Sequence, residues 1–130
     1  MHGTEEVWDE ELAERLHMNA EALALLAEKG VQPGQKTRLD YTFVTESRTN
    51  AQKLAAFIEQ ETDYTAKVVN NDGEFEISGQ TSEIELSLET VNAWVTWLVK
   101  EGRRFDCTFD GWFAPMLIQK KSNSDAQKPE

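Results

Sequence analysis

"RRFDCTFDGWFAP", residues 103–115, is the stretch on which the fold turns. Phe105, Cys107 and Phe109 alternate with Asp106, Thr108 and Asp110. That period of two belongs to a strand with one buried and one wet face. It predicts a strand over 103–110, with Phe105, Cys107 and Phe109 in the core and Asp106 and Asp110 on the outer face. Gly111 then gives a sharp exit that aims Trp112 at a sheet end. Two readings of Trp112 stand together: a loop aromatic tucked inward, or an exposed anchor, a role in which Trp is enriched.

Immediately upstream, Ser87 caps a predicted helix over 88–101, with Val91, Trp94, Val95 and Leu98 as its buried face and Gly102 as its stop. Trp97 lies off that stripe and is a second candidate anchor. Further back, "EFEIS" (74–78) puts Phe75 and Ile77 inside and Glu74 and Glu76 outside; "EIELS" either continues it beyond Gly79 or makes a short extra strand. "NNDG" (70–73) is a hairpin turn, because Asn, Asp and Gly tolerate positive φ. It joins this strand to "YTAKVV" (64–69). Before that comes a helix with Leu54, Phe57 and Ile58 on its apolar face, opened by the Thr-x-x-Gln pattern of "TNAQ" (49–52). "RLDYTFVT" (38–45) alternates Leu39, Tyr41 and Phe43 with Asp40, Thr42 and Val44 and reads as the first strand. Residues 5–29 read as an acidic helix, with Trp8, Leu12, Leu16, Leu23 and Leu26 at helical spacing; Asn19 either interrupts it or caps a second helix, and Gly30 stops it.

The order is a helix, then strand–helix–strand–strand–helix–strand. That is the α+β, ferredoxin-like split βαβ pattern, a two-layer sandwich with an additional N-terminal helix. The expected organisation is an acidic helical segment (1–34) packed on the domain, the domain itself (35–118), and a disordered polar tail (119–130).

A chain of 130 residues with 24 acidic and 13 basic side chains carries a formal charge of −11. Nucleic-acid surfaces need clustered Lys and Arg, so this balance speaks against direct RNA or DNA binding and for basic partners. An RRM shares the topology but stacks bases on aromatics of its central strands; the exposed positions here are acidic or small. One cysteine forms no internal disulfide. No apolar run reaches the roughly 20 residues of a membrane span, and "MHGTEEVWDEE" lacks a secretory pattern. These features predict a cytoplasmic, bacterial-type protein.

Chemistry finds little support in the sequence. His2 and His17 have no ligand at metal-binding spacing. Cys107 alternates with phenylalanines and reads as a small buried hydrophobe. No phosphate-cradling glycine loop exists, and Arg48 and Asn50 in "ESRTNAQ" lack one. No catalytic residue, metal or cofactor is expected. If the apolar strand positions face the helices, the other sheet face gathers Asp40, Thr42, Val44, Thr65, Lys67, Glu74, Glu76, Asp106, Thr108 and Asp110. That face is either the solvated side of the sheet, an acidic docking surface, or partly covered by the N-terminal helix.

The acidic helix ending "LLAEKG", the strand entry "QPGQKTRLDYTF", the helix after "TN" and above all "RRFDCTFDGWFAP" resemble the RraB family of ribonuclease E inhibitors, over about residues 11–115. The resemblance implies a ferredoxin-like fold without catalysis of its own, and direct binding to the endoribonuclease that alters RNA cleavage. Similar members often end in a long acidic tail. Here the end is "QKKSNSDAQKPE", which puts the docking surface elsewhere or points to a paralogue with a different protein partner. The residues expected to meet that partner are Asp40, Glu74, Glu76, Asp106, Asp110 and Trp112. Monomer and homodimer both remain open, since the N-terminal helix has an apolar stripe that could pair with its own copy.

Overall fold

The first strand has the strictest alternation in the chain and becomes the frame for the rest. In the computed structural model, which describes residues 10–114, β1 (Lys36–Thr45) buries Thr37, Leu39, Tyr41, Phe43 and Thr45 on one face. Leu39, Tyr41 and Phe43 are fully enclosed; burying an aliphatic or phenyl side chain of this size contributes roughly 1.5–3 kcal/mol. α1 (Glu10–Glu28) precedes β1; α2 (Arg48–Glu61), β2 (Lys67–Asn71), β3 (Glu74–Glu85), α3 (Leu88–Arg104) and β4 (Thr108–Phe113) follow. The sheet order is β2-β3-β1-β4 with every neighbour antiparallel, the ferredoxin-like arrangement. α2 and α3 cover the apolar face through Ala51, Leu54, Ile58, Val91, Trp94, Val95 and Leu98.

Two irregularities keep the neighbouring strands in phase with β1. In β3 the inward residues Phe75 and Ile77 are odd-numbered, but Ile84 and then Leu86 are even-numbered. Strict alternation cannot bury both pairs. The ladder therefore steps from Asp40–Gln80 to Arg38–Glu83, so two residues of β3 face one of β1. Thr81 is completely buried there, and its Oγ1 accepts the Leu39 N–H at 3.0 Å. "EIELS" is thus the end of one long strand through Glu85. In β4 the ladder steps from Phe43–Phe109 to Thr42–Gly111, which inserts one extra residue at Asp110–Gly111. Gly111 takes a φ of 133°, a conformation that favours glycine.

Several boundaries differ from those read in the sequence, each for a local reason. β4 starts at Thr108; Arg103 and Arg104 are the last turn of α3, and Asp106, with φ 57°, makes the turn between them. Gly102 does not stop α3 but lies buried inside it. The Phe105 and Cys107 N–H groups both return to the Gly102 carbonyl, so the chain folds back tightly there. α2 is capped by Ser47, not by Thr49: Ser47 is extended, and its hydroxyl accepts the Asn50 N–H at 3.1 Å. β2 begins at Lys67, because Thr65 bonds Gln80 through its side chain (3.0 Å) as well as its backbone (3.1 Å). Asn19 neither breaks nor caps α1, which is continuous through it. The predicted helical residues 5–9 and the tail at 119–130 lie outside the described residues.

α1 packs against α3, in the helical layer rather than across the open sheet face. The two run antiparallel, as Glu11 meets Arg103 (3.6 Å) and Asn19 meets Asn92 (2.9 Å).

Two glycines mark the closest approaches. A Cβ on Gly79 would lie 1.8 Å from the Thr65 carbonyl oxygen; one on Gly102 would lie 2.8 Å from both the Cys107 oxygen and the Phe43 ring. In urea unfolding, Gly102→Ala is expected to cost about 1–3 kcal/mol and Gly79→Ala about 3 kcal/mol or more, since its overlap with backbone is much deeper. Wild-type stability in both variants would refute this packing.

Candidate protein-docking face

The uncovered face of the sheet follows from the register. Val69, Glu76, Val44 and Thr108 stand side by side across the strands in the order β2, β3, β1, β4. The next row is Lys67, Ser78, Thr42 and Gly111, all but the lysine small. The row after it carries Gln80, Asp40 and Phe113. Further along, Arg38 faces Glu83 and Lys36 faces Glu85. Those opposite-charge pairs neutralise that end of the face.

The excess acid sits at the other end. Glu46, Glu74 and Asp106 line one depression of about 520 Å³ together with Val44, Ser47 and Thr108. Glu76 is one row away. A second, polar depression of about 620 Å³ is lined by Asp40, Thr42, Glu59, Lys67, Ser78 and Gln80. Two of its acids are held: Gln80 Nε2 donates to Asp40 at 3.3 Å and the Ala66 N–H to Glu59 at 3.0 Å. Beneath it the Tyr41 hydroxyl donates to the Thr65 carbonyl. Burial, and then Glu59 and Tyr64, push the Tyr41 hydroxyl far above its ordinary pKa, so it stays a donor.

The structure therefore brings Asp40, Glu74 and Glu76 onto one surface. Asp106 reaches its end from the α3–β4 turn, and Asp110 is an exposed residue at the β4 irregularity. Trp112 does not join them. The extra residue places it opposite Tyr41, on the helix-facing side, half-buried and 6.3 Å from the Trp94 ring in a T-shaped contact. Its indole N–H donates to Asn19 Oδ1 at 2.7 Å, and Asn19 Nδ2 donates to Asn92. Asn19 is only 2 % exposed, so α1 is tied down by a satisfied buried polar set. Arg15 adds to it: its Nη2 donates to the Phe109 carbonyl at 2.8 Å, with the guanidinium 5.4 Å from the Phe109 ring centre. Trp97 stacks on Phe57 in the α2–α3 layer and also lies away from the open face.

Phe113 takes the position that alternation would have given Trp112. It stands beside Asp40 and is 47 % exposed. The sequence signal for this was the Asp110–Gly111 dipeptide, read above as a strand end although it also suits an irregularity within a strand.

Cys107 is 3 % exposed, and burial, aided by Asp106, pushes its thiol up to about 11. It is therefore no thiolate nucleophile at neutral pH. His17 forms an exposed contact with Glu21 at 3.3 Å. Among the described residues no group of three His, Cys, Asp or Glu is placed to hold a metal ion, and no helix is long and apolar enough to cross a membrane.

A family model described as regulator of ribonuclease activity B, RraB, matches residues 16–113, well over half of the chain and nearly all of its described part. No curated protein matches the chain.

Replacing Trp112 by Phe leaves Asn19 Oδ1 buried without its donor and is expected to cost about 1–3 kcal/mol in urea unfolding. Unchanged stability would remove Trp112 from the α1 contact. Cys107 gives a pH signature. The unfolded thiol ionises from about pH 9 and the folded one only near 11, so the unfolded state binds fewer protons in that window. Wild type should lose stability as pH rises from 9 to 11, and Cys107→Ala should lose less; identical slopes would contradict the burial.

Proposed function

The chain belongs to the family of regulators of ribonuclease activity B, and from that membership we propose that it binds a ribonuclease E-type endoribonuclease and lowers its cleavage of RNA. The family match over residues 16–113 carries this reading, and the charge distribution supports the manner of action. A chain with 24 acidic and 13 basic residues sets up a negative field that draws a basic, RNA-binding stretch of such an enzyme. The acids are densest where Glu46, Glu74 and Asp106 converge, with Glu76 beside them and Asp40 further along the same face. Occupying the basic stretch excludes RNA or shifts its path.

In this reading the protein is not an enzyme and takes no cofactor or metal. The burial of its one cysteine and the exposure of His17 support a purely binding role. Direct RNA binding is disfavoured because Lys67 is the lone cation in the three central rows of the open face. Trp112 contributes from behind the sheet, by holding α1 and the β4 irregularity in place. A second reading is a paralogue that uses the same face on another protein partner in the cytoplasm.

Electrostatic steering acts on encounter more than on the final complex. Exposed charge pairs contribute only about 0–1 kcal/mol each. With a purified ribonuclease E-type enzyme, the chain should slow cleavage of a model RNA. Glu74→Lys combined with Glu76→Lys should lower the association rate about tenfold at low salt, and less at high salt. Absence of binding at low salt would dismiss the ribonuclease reading; binding that ignores both charges would move the docking surface elsewhere.

A further inference from the structure

Resting on the binding role argued above, we propose that Phe113 and the small-residue floor beside it form the apolar anchor of the docking face. The occupant would be a basic protein segment in which a large apolar side chain lies close to an arginine or lysine. The single extra residue at Asp110–Gly111 is what turns Phe113 outward. Irregularities of this kind re-aim side chains, and this one does so twice: Trp112 turns to the helix-facing side and Phe113 onto the open face. Phe113 is 47 % exposed at the end of an edge strand. Beside it the row Gly111, Thr42 and Ser78 is low enough for a partner backbone to approach the sheet.

Charge complementarity selects the occupant. Asp40 stands directly opposite Phe113 in the ladder, its carboxylate oriented by Gln80, and Glu76 flanks the floor on the other side. Lys67 lies at the far, β2 edge of the floor. A segment that seats an apolar side chain on Phe113 thus meets carboxylates with its neighbouring residues. The two parts do different work: the acids raise the encounter rate, and the phenyl ring, desolvated on contact, slows departure. An acidic or purely apolar segment would satisfy only one of them.

The test uses the full chain and two probes: a purified ribonuclease E-type enzyme, and a synthetic peptide of alternating arginine and leucine. Phe113→Ala should leave the unfolding transition unchanged and speed dissociation from the enzyme about tenfold or more. Phe113→Leu should recover part of the loss, since it restores apolar area. In NMR titrations the amides of Asp40, Thr42, Gly111 and Phe113 should shift with either probe. If the enzyme binds and Phe113→Ala dissociates at the wild-type rate, the anchor is refuted while the ribonuclease reading stands. If the enzyme does not bind but the peptide shifts those amides and Phe113→Ala abolishes the shift, the anchor stands and the ribonuclease reading falls. If neither probe binds, both fall.

Discussion

β1 is hydrogen-bonded on both sides, and its buried row of Leu39, Tyr41 and Phe43 fixes which face of the whole sheet is apolar. A strand has only two faces, so every neighbour must match that parity or expose its hydrophobic residues. β3 and β4 both carry sequences whose apolar positions change phase part-way. Each resolves the conflict with one extra residue, at Thr81–Ser82 and at Asp110–Gly111. Thr81 makes the first tolerable because its hydroxyl oxygen accepts the buried Leu39 N–H at the step. Gly111 makes the second tolerable by adopting a positive φ.

The N-terminal helix depends on the outcome in β4. Only three of the residues in α1 are buried, and one of these is Asn19. A helix with so thin an apolar contact is positioned by its polar partners. Those are Trp112 and Asn92 for Asn19, and the Phe109 carbonyl for Arg15. Arg15 also engages a backbone group of β4, an edge strand whose unpaired groups otherwise invite another chain. With α1 placed beside α3, the opposite face of the sheet stays open, and its two ends differ in charge: one is neutralised by facing pairs, the other gathers Glu46, Glu74 and Asp106.

The amino-acid sequence by itself determined the element order, the ferredoxin-like class, the three core positions of β1 and the grouping of Asp40, Glu74 and Glu76. Each rests on a local period of two, which survives folding because one face must be dry. Ser87 as a cap was equally legible, because its hydroxyl serves an N–H only three residues away. Only the tertiary structure decided that Gly102 sits within α3, where the close approach of Phe43 excludes a side chain, and that Asn19 is buried mid-helix, where its partners come from residues 92 and 112. It also decided which of Trp112 and Phe113 faces the core. Both are large aromatics after the same glycine, and nothing local ranks them; the pairing of Phe109 with Phe43 and of Trp112 with Tyr41, set by a strand about 70 residues earlier in the chain, does.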